Sequence, residues 1–524
     1  MPASDLGREL KIGIDVGGTN TDAVVLDRSE TIVARAKRPT TSDVRTGIGQ
    51  ALSAVLGALG EREREVGRIM LGTTHATNAL LQRRGLGRVA VIRLGAPAGT
   101  AVAPLTTWPA DLAETVSAGS VMVGGGHFVD GWPIAPLDRD AIRRFLASVA
   151  DRADAVAVTG IFSPAAGDQE QEVAALVHDE LGAGVAVSMS HEIGSLGLLE
   201  RENATVLNAA LYRVAGEVTQ ALDAVLAERG LDVAAFFAQN DGTLMALDYA
   251  SRYPVLTIGS GPANSIRGAA FLSGVDDAIV IDVGGTSTDL GVLVRGFPRE
   301  SSFATVIGGV RTNFRMPDIL SVAVGGGTIV GGTPDDPAVG PVSVGFRITS
   351  ESLAFGGDTP TLTDAAVLAD RVALGTPHKS PAQVRTLLRS ALDAADGIIA
   401  DAVDQMSLGR KDRPVVAVGG GAFLVPDRLA GGAKVLRPDH ADVANAVGAA
   451  IALVSGRWET LAPAGDGRRK AIEDAGEKAV RRAVQAGADP DAVQVIEITE
   501  TPLSYLHEPA VRINVKAAGP LGWL

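Results

Sequence analysis

The 524-residue chain contains no cysteine, which excludes disulfides, thiol nucleophiles and thiolate metal sites. Aromatic residues are also scarce, at 4% of the chain, so Val, Ala, Leu and Ile must form most of the core. A core of that composition favours parallel strands buried beneath helices. The absence of cysteine is typical of a cytosolic protein, and we therefore expect a cytoplasmic location.

Long apolar runs and basic clusters are missing as well. No stretch reaches the ~20 apolar residues of a membrane-spanning helix, because polar residues interrupt candidates such as 441–454. The N-terminal stretch MPASDLGREL has no apolar segment of the kind found in signal peptides. The net charge is −14, whereas nucleic-acid binders carry a basic face. We expect a soluble globular protein that binds neither membranes nor nucleic acid.

Several common site motifs are absent from the sequence. It has no G-x-x-x-x-G-K-[ST] and no G-x-G-x-x-G, which disfavours a P-loop ATPase and a dinucleotide-binding Rossmann unit. It also has no H-E-x-x-H and no G-x-S-x-G, so neither a zincin nor a serine hydrolase of the hydrolase-fold type is indicated.

Glycine, by contrast, is abundant, with 63 residues, and it marks an internal repeat. Residues 11–26 read KIGIDVGGTNTDAVVL and residues 278–294 read AIVIDVGGTSTDLGVLV. The octapeptides DVGGTNTD and DVGGTSTD differ only at Asn20 and Ser287. Each copy predicts a strand, a glycine turn and a second strand, and therefore one β-hairpin in each of two similar lobes.

The paired loops predict a phosphate site. Backbone N–H groups at such turns bind phosphate oxygens, and threonine adds a hydroxyl donor. Asp15 and Asp282 end the preceding strands, where a carboxylate can hold Mg²⁺, usually through water. Two structural hairpins are the alternative, but the recurrence of Asp, Gly-Gly, Thr and Asp favours nucleotide binding. The candidate nucleotide-binding residues of the loops are Gly17, Gly18, Thr19, Asn20, Thr21, Gly284, Gly285, Thr286 and Ser287.

Two glycine triplets that follow predicted strands extend this candidate set. They are Gly325, Gly326, Gly327 and Gly419, Gly420, Gly421. Glycines that pack a helix against a strand are the alternative for both. For the second triplet we favour nucleotide contact, and for the first both nucleotide and substrate contact stay open.

Alternating strands and helices predict an α/β architecture. Within it we expect a long helix over most of 191–230 with Gly230 as its C-cap, and helices over 381–406, 442–454 and 468–486. We divide the chain into a first lobe (1–185), a second lobe (186–459) and a small α+β element (460–524).

Two histidine segments have competing interpretations. His75 and Asn78 lie in the loop TTHATN and are candidate substrate contacts, although a hydrogen-bonded loop histidine is equally compatible. His191 and Glu192, with the later Glu200 and Glu202, are compatible with metal ligation. For this second segment we favour a helix N-terminus capped by Ser190.

These motifs resemble the hydantoinase/oxoprolinase A family of the actin, Hsp70 and sugar-kinase superfamily. The resemblance covers about residues 10–455 and is carried by IDVGGTNTDAVVLD, LGTTHATNALLQRRG, SHEIGSLGLLERENATVLNAAL and IDVGGTSTDLGVL. It implies two duplicated ribonuclease-H-like lobes around a nucleotide cleft, with the C-terminal α+β element appended, and ATP and Mg²⁺ as cofactors. By position, Asp15 and Asp282 face Mg²⁺ and the γ-phosphate, Thr19 and Thr286 contact phosphate, and residues 419–421 lie near the adenosine.

The resemblance also implies an activity. Similar proteins cleave cyclic amides such as hydantoins and 5-oxoproline with ATP, and we expect this reaction here, with Asp15 and Asp282 as catalytic residues and Asp282 also as the base. An ATP-dependent carboxylase subunit for a small ketone, a small-molecule kinase and a regulatory ATPase are the alternatives. We expect an oligomer with a separately encoded second subunit. Where long members carry Asp-x-His, this chain has Asp318-Ile-Leu320 and lacks that histidine. Long members also have a larger C-terminal region than these 524 residues provide, and we therefore expect the short type.

Overall fold

The computed structural model describes residues 9–40, 44–194, 196–301, 305–313, 316–375, 380–410, 412–429, 432–465, 467–503 and 509–522. Most of the N-terminal stretch for which no signal peptide is expected, residues 1–8, lies outside the described residues, as does Ser195 of the third family-like motif. Within the described part, no helix combines the length and the apolar character required to cross a bilayer.

Residues 10–189 alternate strands and helices, as predicted. The strands are β1 (Leu10–Val16), β2 (Asn20–Leu26), β3 (Ile32–Pro39), β4 (Val66–Thr73), β5 (Val89–Ala96), β6 (Ser117–Gly124), β7 (Ala155–Gly160) and β8 (Ala186–Met189). The helices are α1 (Val44–Leu59), α2 (His75–Gln82), α3 (Ala110–Val116), α4 (Arg139–Val149) and α5 (Asp168–Leu181).

Residues 190–273 are mainly helical. The elements are α6 (Ser190–Ile193), α7 (Leu198–Arg229), β9 (Ala234–Ala238), β10 (Thr243–Ala246), α8 (Leu247–Arg252) and α9 (Ser260–Ser273). The predicted long helix is confirmed as α7, and Gly230 ends it in the left-handed conformation at φ 63°. It begins at Leu198, and Gly194 and Gly197, which disfavour helix, separate it from α6.

Residues 278–436 form most of the second lobe. Its strands are β11 (Ala278–Val283), β12 (Thr288–Val294), β13 (Phe297–Pro298), β14 (Thr305–Ile307), β15 (Val310–Thr312), β16 (Ile319–Val322), β17 (Thr328–Thr333), β18 (Asp336–Ser343), β19 (Val415–Val418) and β20 (Val435–Leu436). Its helices are α10 (Ile348–Glu351), α11 (Leu362–Leu368) and α12 (Ala382–Ser407), the last of which confirms the helix predicted over 381–406.

The chain ends with α13 (Ala444–Ala450), β21 (Leu453–Pro463), α14 (Arg468–Gln485), β22 (Gln494–Leu503) and β23 (Ala510–Gly519). The helix predicted over 442–454 is too long, because its last two residues already belong to β21. The helix predicted over 468–486 is confirmed by α14.

Three sheets organise these elements. The largest has nine strands in the order β22-β23-β21-β10-β9-β4-β1-β2-β3, and the second has the path β13-β12-β11-β19-β20 with β16 paired to β12. The third, β6-β5-β7-β8, is parallel throughout. The nine-stranded sheet contains β9 and β10 as well as β21 to β23, so it crosses the predicted boundaries at 185/186 and 459/460.

Helices α9 and α13 form a layer between the two large sheets. Residues of α13 pack with Val24, Met70 and Leu244 of the nine-stranded sheet, whereas α9 packs with Val280 and Val416 of the second sheet. The outer faces are covered by α1 and α7 on one side and by α11 and α12 on the other. The two lobes are therefore joined through a shared helical layer.

The two helices of this layer approach each other at glycines. A Cβ atom added at Gly268 of α9 would lie 1.9 Å from the carbonyl oxygen of Ala444. A Cβ atom at Gly448 of α13 would lie 1.9 Å from the carbonyl oxygen of Asn264. Any side chain at either position would push the helices apart.

We expect Gly268→Ala to destabilise the protein by about 2 kcal/mol or more, because overpacking a close backbone contact is costly. The measurement is thermal unfolding followed by circular dichroism. Gly216→Ala in α7 is the matched control, since a Cβ atom there meets nothing within 4 Å and alanine favours helix. Equal unfolding temperatures for Gly268→Ala and the parent would contradict this packing.

Candidate nucleotide-binding site

The two repeat motifs form the same hairpin in the two large sheets, as predicted. In the first, Asp15 of β1 pairs with Asp22 of β2, and in the second Asp282 of β11 pairs with Asp289 of β12. Strand residues alternate between faces. Ile12, Ile14 and Val16 therefore face the outer core, and the aspartates of both hairpins face the layer of α9 and α13.

The turns of the hairpins offer unpaired backbone donors. Within the described residues, the N–H groups of Gly18 and Thr19, and those of Gly285 and Thr286, make no hydrogen bond. The turns also meet each other, since a Cβ atom at Gly285 would lie 3.2 Å from Thr19 Oγ1. Two sets of N–H donors from different lobes therefore border one space, as a polyphosphate requires.

A chain of side chains links the two strand-end aspartates. Asn445 Nδ2 of α13 donates to Asp15 Oδ2 at 3.3 Å. Ser265 Oγ of α9 lies 2.5 Å from both Asn445 Oδ1 and Asp282 Oδ2. The hydroxyl also lies 3.2 Å from the carbonyl oxygen of Gly261. Asp15 and Asp282 consequently belong to one site.

Buried carboxylates give this site an excess of negative charge. Burial, followed by the charge of Asp22, raises the pKa of Asp15 to about 7. Burial also raises the pKa of Asp282, and it raises that of Asp289 to about 6. Lys37 Nζ donates to Asp22 Oδ2 at 2.6 Å, yet burial still raises the pKa of Asp22. A bound cation would relieve this repulsion.

The first glycine triplet lines the second hairpin turn. The N–H groups of Gly326 and Gly327 donate to the carbonyls of Gly284 and Gly285 at 3.0 and 2.7 Å. A Cβ atom at Gly325 would lie 2.7 Å from the backbone nitrogen of Thr286. This triplet therefore holds the loop in place through backbone contacts, and its contact with a ligand stays a prediction.

The second triplet follows β19, which pairs with β11 beside Asp282. Gly419 has φ +88°, and a Cβ atom there would lie 2.3 Å from Asp282 Oδ1. Gly421 N–H donates to the carbonyl of Val283 at 2.8 Å. Gly420 has nothing within 4 Å of its Cβ position and faces open space. Only glycine allows this loop to pass so close to the carboxylate.

His75 and Asn78 lie on α2, directly after β4. Asn78 Nδ2 donates to Thr74 Oγ1 at 3.3 Å, and Thr74 N–H donates to the carbonyl of Val16 at 3.2 Å. His75 Nε2 lies 4.0 Å from Glu217 Oε2, and burial lowers the pKa of His75. Asn78 is thus linked to the first loop through Thr74, while the contact observed for His75 is with α7. Their substrate role stays a prediction.

The cap predicted for Ser190 is wrong. No side chain caps α6, and Ser190 Oγ instead donates to Glu170 Oε1 at 2.6 Å. The acids considered with His191 do not form a common site, because each is paired with a different arginine. Glu192 pairs with Arg252, Glu200 with Arg311, and buried Glu202 with Arg93. Across the described part of the chain, no group of three or more possible ligand side chains forms a metal site.

Sequence reasoning missed the side chains that the fold brings to the aspartates. They are Lys37, Asn264, Ser265 and Asn445. Asn264 is fully buried beside Asp15, and its side-chain nitrogen and oxygen have no partner among the described residues. Asn264 and Ser265 occur in the stretch SGPANSIRG, which precedes the second hairpin. This polar, glycine-containing stretch is the sequence signal from which the two residues could have been found.

Comparison with known families agrees with this arrangement. Residues 11–181 match the hydantoinase/oxoprolinase N-terminal region, and residues 201–457 match the hydantoinase/oxoprolinase family. The matched ranges contain the first and second hairpins, respectively.

Individual relatives cover most of this chain. The alpha subunit of caprolactamase from Pseudomonas jessenii is 29% identical over 423 residues, covering 75% of this chain and 59% of that protein. The gamma subunit of acetophenone carboxylase from Aromatoleum aromaticum is 31% identical over 392 residues, covering 68% and 52%. The chain thus spans a little over half the length of these relatives.

A solved structure supports the fold. The ATP-dependent caprolactamase from Pseudomonas jessenii matches with a TM-score of 0.77 at 22% identity, covering 98% of this chain and 88% of that chain. This similarity confirms the predicted two-lobed α/β fold.

We expect Asp15→Asn to stabilise the ligand-free protein at pH 8 by on the order of 2–4 kcal/mol and to have little effect near pH 4. The folded-state pKa of Asp15 is raised to about 7 from 3.8, so its favourable contribution is present below the unfolded value and is lost as the pH rises through 7. Denaturant unfolding at several pH values measures this difference. The exposed Asp223→Asn is the control, and a pH dependence identical to that of the parent would contradict the assignment.

Proposed function

The chain belongs to the hydantoinase/oxoprolinase family, and we propose that it uses ATP to open a small cyclic amide. The observation that carries the proposal is the link from Asp15 through Asn445 and Ser265 to Asp282, between two turns with unpaired N–H donors. The 29% identity to a caprolactamase subunit supports an amide as the substrate class. The particular ring is not part of the proposal.

The chemistry explains why ATP is needed. Resonance makes an amide carbonyl a poor electrophile. Transfer of the γ-phosphoryl group to the amide oxygen removes that resonance and releases ADP. One water adds to the carbon and the ring nitrogen leaves as an amine, which gives an acyl phosphate. A second water releases phosphate and the open-chain amino acid, so one ATP and two waters are consumed for each ring.

The chain's own groups have distinct parts in this proposal. The N–H groups of Gly18, Thr19, Gly285 and Thr286 donate to phosphate oxygens, and the hydroxyls of Thr19 and Thr286 add to them. Asp282 positions the water that attacks the carbon of the phosphorylated amide and accepts its proton, which its raised pKa favours. The loop around Gly420, open on one side, receives the adenosine.

Magnesium fits the carboxylates of this site. Asp15 Oδ1 is buried without a hydrogen-bond partner among the described residues, and the neighbouring aspartates leave the site with excess negative charge. Mg²⁺ prefers oxygen ligands and commonly uses one or two carboxylates together with phosphates. Asp15 and Asp282 would hold the ion, which would neutralise charge on the phosphate oxygens.

A carboxylase is the second candidate, because the acetophenone carboxylase subunit is 31% identical to this chain. Both named relatives are subunits, so we also propose a second polypeptide in the active enzyme. The two reactions differ in their need for bicarbonate. Phosphate release that requires bicarbonate and a ketone, and not a lactam, would favour the carboxylase, and a stable phosphorylated product would favour a kinase.

We expect Asp15→Asn and Asp282→Asn each to reduce lactam-dependent ATP hydrolysis by about 100-fold or more, because each removes charge that organises the phosphates. ADP and the ring-opened amine are measured together and should appear in equal amounts. Asp223→Asn, on the exposed face of α7, should behave like the parent. Unchanged ATP turnover in both site variants would overturn the proposed function.

A further inference from the structure

The four-stranded parallel sheet carries a second concentration of polar groups, away from the paired loops. Its order, β6-β5-β7-β8, reverses its winding direction between β5 and β7. Ligands of open α/β sheets bind beyond the carboxyl ends of strands at such a point. A cavity of about 2820 Å³ lies at this edge, and its lining includes Ser163 after β7 and His191 after β8. No residue of the two phosphate loops lines it.

His191 is held at this edge in one orientation. Its Nδ1 lies 2.6 Å from Glu170 Oε2, and its backbone N–H donates to the same oxygen at 3.0 Å. The other ring nitrogen, Nε2, makes no hydrogen bond within the described residues. The ring lies against Gly167, where a Cβ atom would be 2.9 Å from Nε2. The imidazole thus presents a single nitrogen to the cavity.

The surroundings of Glu170, which lies next to the His191 ring, favour its ionised form. It is 1% exposed, and its other oxygen, Oε1, accepts from Gly160 N–H at 2.7 Å and from Ser190 Oγ at 2.6 Å. Ser190 in turn lies 3.0 Å from Arg201 Nε and 2.9 Å from Ser163 Oγ. Four donors on one buried carboxylate fix its position, and a carboxylate behind an imidazole fixes the tautomer and stabilises imidazolium.

The charges around His191 favour its protonated form. Burial lowers the pKa of His191, but the bond to Glu170 and the charges of Glu170 and Glu192 outweigh it and raise the pKa overall. Arg252 of α8 opposes them. For Glu170, burial raises the pKa, while the bonds from His191 and Ser190 lower it overall. Arg201 of α7 faces the same carboxylate.

We propose that this cavity is a second ligand site, in which His191 Nε2–H donates a hydrogen bond to the oxygen of a small carbonyl-bearing molecule and Glu170 is the positioning residue. The proton stays on Nε2, and no covalent bond forms or breaks. The ligand class follows from the donor, because a carbonyl or carboxylate oxygen accepts a hydrogen bond from Nε2–H. The evidence for this site does not depend on the proposed ATP reaction.

The test is the NMR resonance of the His191 ring in protein labelled at histidine Cε1, without ATP. The chain has seven histidines, and His191 is assigned by the signal missing in His191→Gln. The probes are 2-pyrrolidinone for an amide carbonyl, acetate for a carboxylate, and tetrahydrofuran as a ring without a carbonyl. We expect either 2-pyrrolidinone or acetate to shift the His191 resonance, with saturation at millimolar probe concentrations. The probe that does so identifies the ligand oxygen as that of an amide or of a carboxylate. We expect no shift with tetrahydrofuran.

The variants separate a ligand site from a structural histidine. We expect Glu170→Gln to lower the pKa of His191 measured by the same signal. We expect His191→Gln to weaken probe binding by about tenfold when binding is followed on the probe's own proton signals by saturation transfer from the protein. The exposed His178→Gln on α5 is the control and should bind like the parent. If Glu170→Gln does not fold, the comparison of probe binding by the parent and by His191→Gln still tests the proposed ligand site. A His191 signal that responds to neither 2-pyrrolidinone nor acetate, or that responds equally to the ether tetrahydrofuran, would overturn the proposal.

Discussion

The contact between α9 and α13 is the constraint on which the proposed nucleotide site depends. Asn445 and Ser265 reach the aspartates of both sheets only because these helices touch at Gly268 and Gly448, where no Cβ atom fits. On the adjoining strand β1, Gly13 provides the same closeness, since a Cβ atom there would lie 2.1 Å from the carbonyl oxygen of Ala446. Side chains from both lobes can therefore share one hydrogen-bonded chain without either sheet moving.

The same closeness makes the ligand-free site electrostatically unfavourable. Asp15 is 3% exposed and has like charges nearby, so its ionised form is disfavoured until a cation arrives. A metal-bound polyphosphate would relieve this repulsion on binding. Part of its binding free energy would therefore come from the destabilisation that the buried carboxylates cause in the ligand-free fold. Such opposition between stability and activity is expected where a site concentrates charge of one sign. The aspartates lie at strand ends, where pairing with the neighbouring strands holds their backbone in place despite this repulsion.

The sequence predicted the parts of this site that are local. Each hairpin is encoded within a short repeat, so its turn, register and facing aspartates follow from alternation alone. Ser265 and Asn445 were not predicted, because they meet Asp15 and Asp282 only through packing between distant helices. The cap predicted for Ser190 failed for the same reason: its hydroxyl is taken by Glu170, whose position depends on the packing of α5 against β7 and β8. The pairing of the C-terminal strands beside β10 likewise has no local signal in the sequence.

Charge also links the lobes at the second cavity. Lys516 of β23 and Asp241, between β9 and β10 of the nine-stranded sheet, are both buried and lie 2.7 Å apart. Lys516 Nζ also lies 3.8 Å from Glu300, which follows the hairpin of the second sheet. All three line the cavity. Paired charges in such surroundings are costly to separate, so they resist displacement of one lobe against the other. The cavity is lined by residues that follow strands of both large sheets, and the two hairpin turns also come from these two sheets. The binding free energy of a ligand that contacts both sides at either place would therefore depend on how the two sheets are arranged.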